Sequence, residues 1–141
     1  MHKILITGLC LCIFLVSSCD TPASSPDALI TWTDITTFGT DGWTNYDPAN
    51  PVQYGIDNNN CVYIKGIAVD PIPSTNNSIV FTLPAEYCPS ETQHLVIMLE
   101  TNEPDITYGE LQIDPDGSVY AAVYVDWVQK AYFTNISFFI D

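Results

Sequence analysis

Val52-Gln53-Tyr54-Gly55-Ile56-Asp57-Asn58-Asn59-Asn60-Cys61-Val62-Tyr63-Ile64-Lys65-Gly66-Ile67-Ala68-Val69 is the stretch that decides the fold class. Two runs rich in β-branched and aromatic residues flank Asp57-Asn58-Asn59-Asn60. Asp and Asn bond their own backbone and tolerate left-handed conformations, so this cluster reads as a turn. Side chains alternate between the faces of a strand. That alternation puts Val62, Ile64 and Ala68 on one side, with Tyr63, Lys65 and Ile67 on the other. The pair predicts an antiparallel hairpin, ended by Pro71 and Pro73, which cannot donate to a sheet ladder.

The same signature continues in both directions. Upstream, Ala28 to Thr33 is a short strand-like run containing Trp32. Downstream, Ser78 to Leu83 places Ile79, Phe81 and Leu83 on one side, and Pro84 to Ser90 is a loop. His94 to Thr101 directs Leu95, Ile97 and Leu99 inward and Val96 and Met98 outward. Gly109 to Ile113 and Ser118 to Asp126 flank Asp114-Pro115-Asp116-Gly117, a strong hairpin signal. Tyr132 to Ile140 closes the chain with Ile136, Phe138 and Ile140 on one face. No segment keeps helical spacing. Seven or eight short strands predict an all-β fold, a single antiparallel β-sandwich or small barrel over residues 28–141.

Composition limits what such a domain can do. The chain has 141 residues, 47% of them apolar, enough for a core and too many for a disordered acidic tail. Three Lys or Arg against seventeen Asp or Glu give a net charge of −14. No basic cluster is present to neutralise phosphates, which argues against nucleic acid and against adhesion to anionic lipid by charge.

The first twenty residues read as an export signal. Lys3 precedes an unbroken, mostly apolar run from Ile4 to Val16, too short for a membrane span of ~20 residues and suited to a signal-peptide core. Val16-Ser17-Ser18-Cys19 resembles the lipobox of bacterial lipoproteins. The resemblance implies cleavage after residue 18, diacylglycerylation of the Cys19 thiol, and attachment to a bilayer by two or more acyl chains, enough for a stable anchor. Cleavage near Ser18 to release a secreted protein is the alternative. Asp20 resembles an inner-membrane retention signal of one bacterial group, a rule that fails in others, so the membrane is undecided. Residues 1–18 are then the leader, and 19–27, rich in Pro, Ser, Thr and Asp, form a solvated tether. The expected location is the cell envelope, outside the cytoplasm.

Cys10 and Cys12 fall in the leader, so Cys61 and Cys88 remain as one pair in an oxidising compartment. A disulfide between them is expected; it would close a loop of about 28 residues and contribute roughly 3–4 kcal/mol in the chain-entropy model. Metal binding and two separate buried thiols are the competing readings.

Catalytic chemistry is hard to find. His94 stands at the start of an apolar strand, where a structural hydrogen bond is the ordinary role. Glu100, Glu103 and Asp105 are the tightest acidic group, best read as a solvated loop. Asp114 to Gly117 lacks the sixth-position Gly and twelfth-position Glu of a calcium loop. No enzyme activity, metal or cofactor is therefore expected. The aromatics are the candidate ligand-binding residues: Trp43 and Tyr46 in the loop from Gly39 to Asn50, with Tyr120 and Tyr124 on one strand face. Flat rings beside Asp and Asn can stack on sugars. Alternatively, Trp43 covers one end of the core and the tyrosines pack against a strand or a subunit.

Several motifs recur in a particular order. They are Trp43, Pro51-Val52-Gln53-Tyr54, Cys61 to Gly66, Ile79 to Pro89 with its Leu83-Pro84-Ala85-Glu86-Tyr87-Cys88-Pro89 loop, Leu111 to Val119, and Ile136-Ser137-Phe138. Over roughly residues 43–140 the chain resembles a small β domain at the tips of phage tail-fibre and baseplate proteins. Those domains are β-sandwiches, often trimeric, placed near host surface polymers. Family members lack a lipobox and follow a fibrous stalk, and Cys88 stands where they commonly carry Arg. The resemblance implies a non-catalytic binding module whose partner is a surface glycan or an envelope protein, with a homotrimer as its assembly. A prophage-derived lipoprotein that excludes superinfecting phage is the alternative.

Overall fold

The computed structural model describes residues 30–40, 42–70, 78–101, 105–122 and 128–141. The leader, the tether, Cys19 and Tyr124 lie outside the described residues. Nine strands follow in chain order: β1 Thr33–Asp34, β2 Thr44–Asn45, β3 Gln53–Ile56, β4 Cys61–Val69, β5 Ile79–Thr82, β6 Gln93–Thr101, β7 Ile106–Ile113, β8 Ser118–Ala122 and β9 Val128–Phe139. Among the described residues the only helix is a 3-10 turn at Ala85–Tyr87. The strands form one antiparallel sheet in the order β1-β3-β4-β9-β6-β7-β8-β5, with β2 beside β4.

Both hairpins expected from the sequence are present. β3 and β4 pair with Gly55 opposite Tyr63 and Gln53 opposite Lys65. Their turn is built on Asp57, whose Oδ1 accepts from the Asn59 and Cys61 amides at 2.8 and 3.0 Å, and on Asn60 at φ 59°. β7 and β8 pair around Asp114–Gly117, where Gly117 at φ 86° adopts the left-handed conformation that glycine enters without a Cβ clash.

The sheet divides because β9 is paired over different lengths with its two neighbours. β9 pairs with β4 from Phe139 to Lys130 but with β6 only from Tyr132 to Val128, so Gln93–Ile97 of β6 pair with β7 alone. The two halves thus diverge from a short shared seam, and the core fills the space between them. Phe81 of β5 meets Phe133 of β9 edge-to-face across this space, ring centroids 5.3 Å apart. On the opposite side, Phe38 bridges to Phe81 and the Gly39 amide donates to the Val80 carbonyl, bringing the end strands together. This is the sandwich-like or small-barrel architecture expected, made from one curled sheet.

A bulge corrects the alternation expected of β5, and a second one shifts register in β4 while leaving its expected core face, Val62, Ile64 and Ala68, buried. Between Ile79 and Phe81 the pairing of β5 with β8 shifts, and Val80 is fully buried along with Phe81 and Leu83. Between Ile64 and Gly66 the β4–β9 register also shifts. Phe133 and Ile136, three residues apart, are therefore both buried, because a bulge reverses which face a side chain takes. Gly66, at φ 110°, makes room there for the chain entering β3: a Cβ would lie 2.7 Å from the Pro51 carbonyl oxygen.

Candidate functional site

Residues on the outer face of β9, β6, β7 and β8 line up in rows fixed by register. Lys130 lies opposite Glu100, which lies opposite Ile106. Tyr132, Met98 and Tyr108 form the next row. Val96, Glu110 and Ala122 follow, then His94, Gln112 and Tyr120. Period-two alternation turns the neighbours Ile97, Leu99, Leu111, Ile113, Val119 and Ala121 into the core. The outer rows remain uncovered: Tyr108 is 77% exposed, Val96 73% and Ile106 62%. An open depression of about 350 Å³ is lined by His94, Leu95, Val96, Tyr108, Gly109 and Glu110. His94 Nδ1 lies against Glu110 Oε1 across its rim, the structural bond expected of that histidine.

Lys130 and Glu100 neutralise each other on this face. Lys130 Nζ donates to Glu100 Oε1 at 2.8 Å and the Tyr132 hydroxyl donates to Oε2 at 2.7 Å. The hydrogen bond from Lys130, then that from Tyr132, holds the Glu100 carboxyl below its ordinary range. The same bonds to Glu100 raise Lys130 and Tyr132. Glu100 is thus a paired, half-buried residue rather than part of a solvated acidic loop; Asp105 is exposed, and Glu103 lies outside the described residues. Tyr46 adds its ring beside this network, its centroid 4.8 Å from Lys130 Nζ.

The aromatic candidates therefore divide. Tyr46 is 52% exposed and stands at the border of the face, and Tyr120 is half-buried on it. Trp43 is 4% exposed, with its indole N–H donating to Ser78 Oγ at 2.8 Å. Its ring has no open side for a ligand, which corrects the expectation that it stacks on sugar and agrees with the core-covering alternative. The strand begins at Ile106 rather than at the expected Gly109, which adds Ile106 and Tyr108 to this face; the alternation Ile106, Tyr108, Glu110 is the signal in the sequence.

Cys61 and Cys88 are free thiols in the structure, not the expected disulfide. Each has its own surroundings. Cys61 is beside Tyr63, whose hydroxyl is pushed up to about 12, first by the Cys61 sulfur, then by burial and by Asp57, to which it donates at 3.2 Å. Cys88 Sγ is 3.3 Å from the Pro84 carbonyl oxygen, and burial, with Asp116 and Glu86 behind it, pushes its thiol up.

No family model and no curated protein matches the sequence. Among solved structures, the chain is similar to the crystal structure of the receptor binding protein (gp15) of Listeria phage PSA. The TM-score is 0.59 at 13% identity, covering 82% of this chain and 68% of that one. At this identity the likeness is one of fold, and at that level it agrees with the phage-fibre resemblance read from the motifs. The chain is thus an antiparallel β domain of the kind a phage receptor binding protein also uses.

Proposed function

We propose that this chain is a non-catalytic binding module of the cell envelope, anchored through lipid on Cys19, which presents its outer sheet face to a surface glycan or an envelope protein. Val96, Ile106 and Tyr108, exposed in three successive rows of this face, carry the reading. Large apolar side chains clustered on a folded surface mark interaction sites, and the Lys130 and Glu100 charges bordering these are already paired with each other. The lipobox-like Val16-Ser17-Ser18-Cys19 supports the anchor, and the fold shared with a receptor binding protein supports the binding role. Trimerisation belongs to the same reading and is read by sedimentation. The test is retention on isolated cell envelopes and on a glycan array. The wild type binds, and the double variant Val96→Ser, Tyr108→Ala, folded to the same melting temperature, does not. Equal binding by both would sink the proposal.

A second reading follows from the fold shared with a phage protein. A lipid-anchored domain of this shape meets incoming phage components at the membrane and blocks infection. It predicts reduced plating of phage on cells expressing the wild type and normal plating with Cys19→Ala.

A further inference from the structure

At the other end of the sheet, on β1, β3 and β4, a second cleft of about 320 Å³ is lined by Ala49, Asn50, Pro51, Gln53, Lys65 and Gly66. Asp34, Gln53 and Lys65 form one row across the three strands. Lys65 Nζ lies 3.8 Å from the centroid of the Trp32 ring, which holds the ammonium in place by cation–π attraction. Gln53 Nε2 donates to Asp34 Oδ1 at 2.7 Å and Asn50 Nδ2 to Asp47 Oδ2 at 2.7 Å. Each amide is thereby oriented, and each has a second N–H and a carbonyl oxygen beyond that bond.

We propose that this cleft binds a sugar ring carrying a single carboxylate, of the uronic-acid class, with Lys65 pairing to the carboxylate and the Asn50 and Gln53 amides bonding ring hydroxyls. Lys130 is ion-paired with Glu100, whereas Lys65 rests on the neutral ring of Trp32. One ammonium balances one negative charge. A phosphate monoester carries nearly two and would face Asp34 and Asp47 with the excess. The mixture of donors and acceptors suits hydroxyls, which need both.

This site is separate from the outer face of β6 and β7 and does not depend on that face being a docking surface. The purified full chain in detergent micelles is titrated with glucuronate, glucose and glucose 6-phosphate and followed by NMR. Glucuronate is expected to give saturable shifts at Asn50, Gln53 and Lys65, and to bind about tenfold more tightly than glucose, the margin of one charge-assisted bond. Lys65→Gln removes that margin, and raising salt reduces it in the wild type without any substitution. The proposal is overturned by absent or non-saturable shifts at these residues. Binding of glucose or glucose 6-phosphate as tight as glucuronate also overturns it, as does an affinity indifferent to both salt and Lys65→Gln. Loss of envelope binding in the Val96, Tyr108 variant with glucuronate binding intact would leave each site with its own ligand.

Discussion

Lys130 and Lys65 are cations on the same acidic chain, placed on outer sheet surfaces, and the structure uses them in opposite ways. Lys130 is enclosed by Glu100, Tyr132 and Tyr46; its side chain is 19% exposed and that of Glu100 15%. Lys65 is exposed and rests on Trp32. The first holds the short seam where β6 meets β9, the second stands over an open cleft. A charge that is closed in by its partners serves the fold, and one that is merely steadied keeps donors for something else.

Substitutions can break this contrast. Glu100→Ala leaves Lys130 and the Tyr132 hydroxyl half-buried without their acceptor and should destabilise by about 2–3 kcal/mol in urea unfolding, the largest effect expected of this group. Tyr132→Phe removes one hydrogen bond and keeps the ring, costing about 1 kcal/mol by the same measurement. Tyr46→Ala loses an exposed ring near Lys130 and should cost about 0.5–1 kcal/mol. Lys65→Gln should stay within about 0.5 kcal/mol of the wild type, as surface substitutions usually do. A Lys65→Gln loss as large as that of Glu100→Ala would erase the distinction.

Acid sharpens the same comparison. The folded-state value of Glu100 is depressed, so its contribution is present above the ordinary carboxylate value of 4.5 and is lost as pH falls through the lower folded value. Lys130 is raised, so its contribution holds below its ordinary 10.5 and fades as pH climbs past the folded value. Melting temperatures measured from pH 7 downward should therefore fall less steeply in Glu100→Gln than in the wild type. Parallel curves would show that other carboxylates dominate acid unfolding.

Legibility in the sequence followed distance along the chain. The turns at Asp57–Asn60 and Asp114–Gly117 were readable because each is made by side chains bonding backbone within four residues. Trp43 and Tyr46 share one loop and were indistinguishable, yet one is sealed by Ser78, 35 positions away, and the other is open. Glu100 and Lys130 are 30 positions apart, and their neighbours in sequence carry no sign of the pairing. The Lys65 cleft was equally hidden, since Trp32, the Asn50–Gln53 stretch and Lys65 come from three separate parts of the chain.

By itself the sequence determined the all-strand character, the two hairpins and most of the core-facing positions, because alternation and turn chemistry are local. Tertiary structure decided which aromatics are buried, which lysine is enclosed, where the bulges fall and that Cys61 and Cys88 keep separate neighbours. Those outcomes depend on which strands become adjacent when one sheet curls on itself, and adjacency between distant segments leaves no period in the chain.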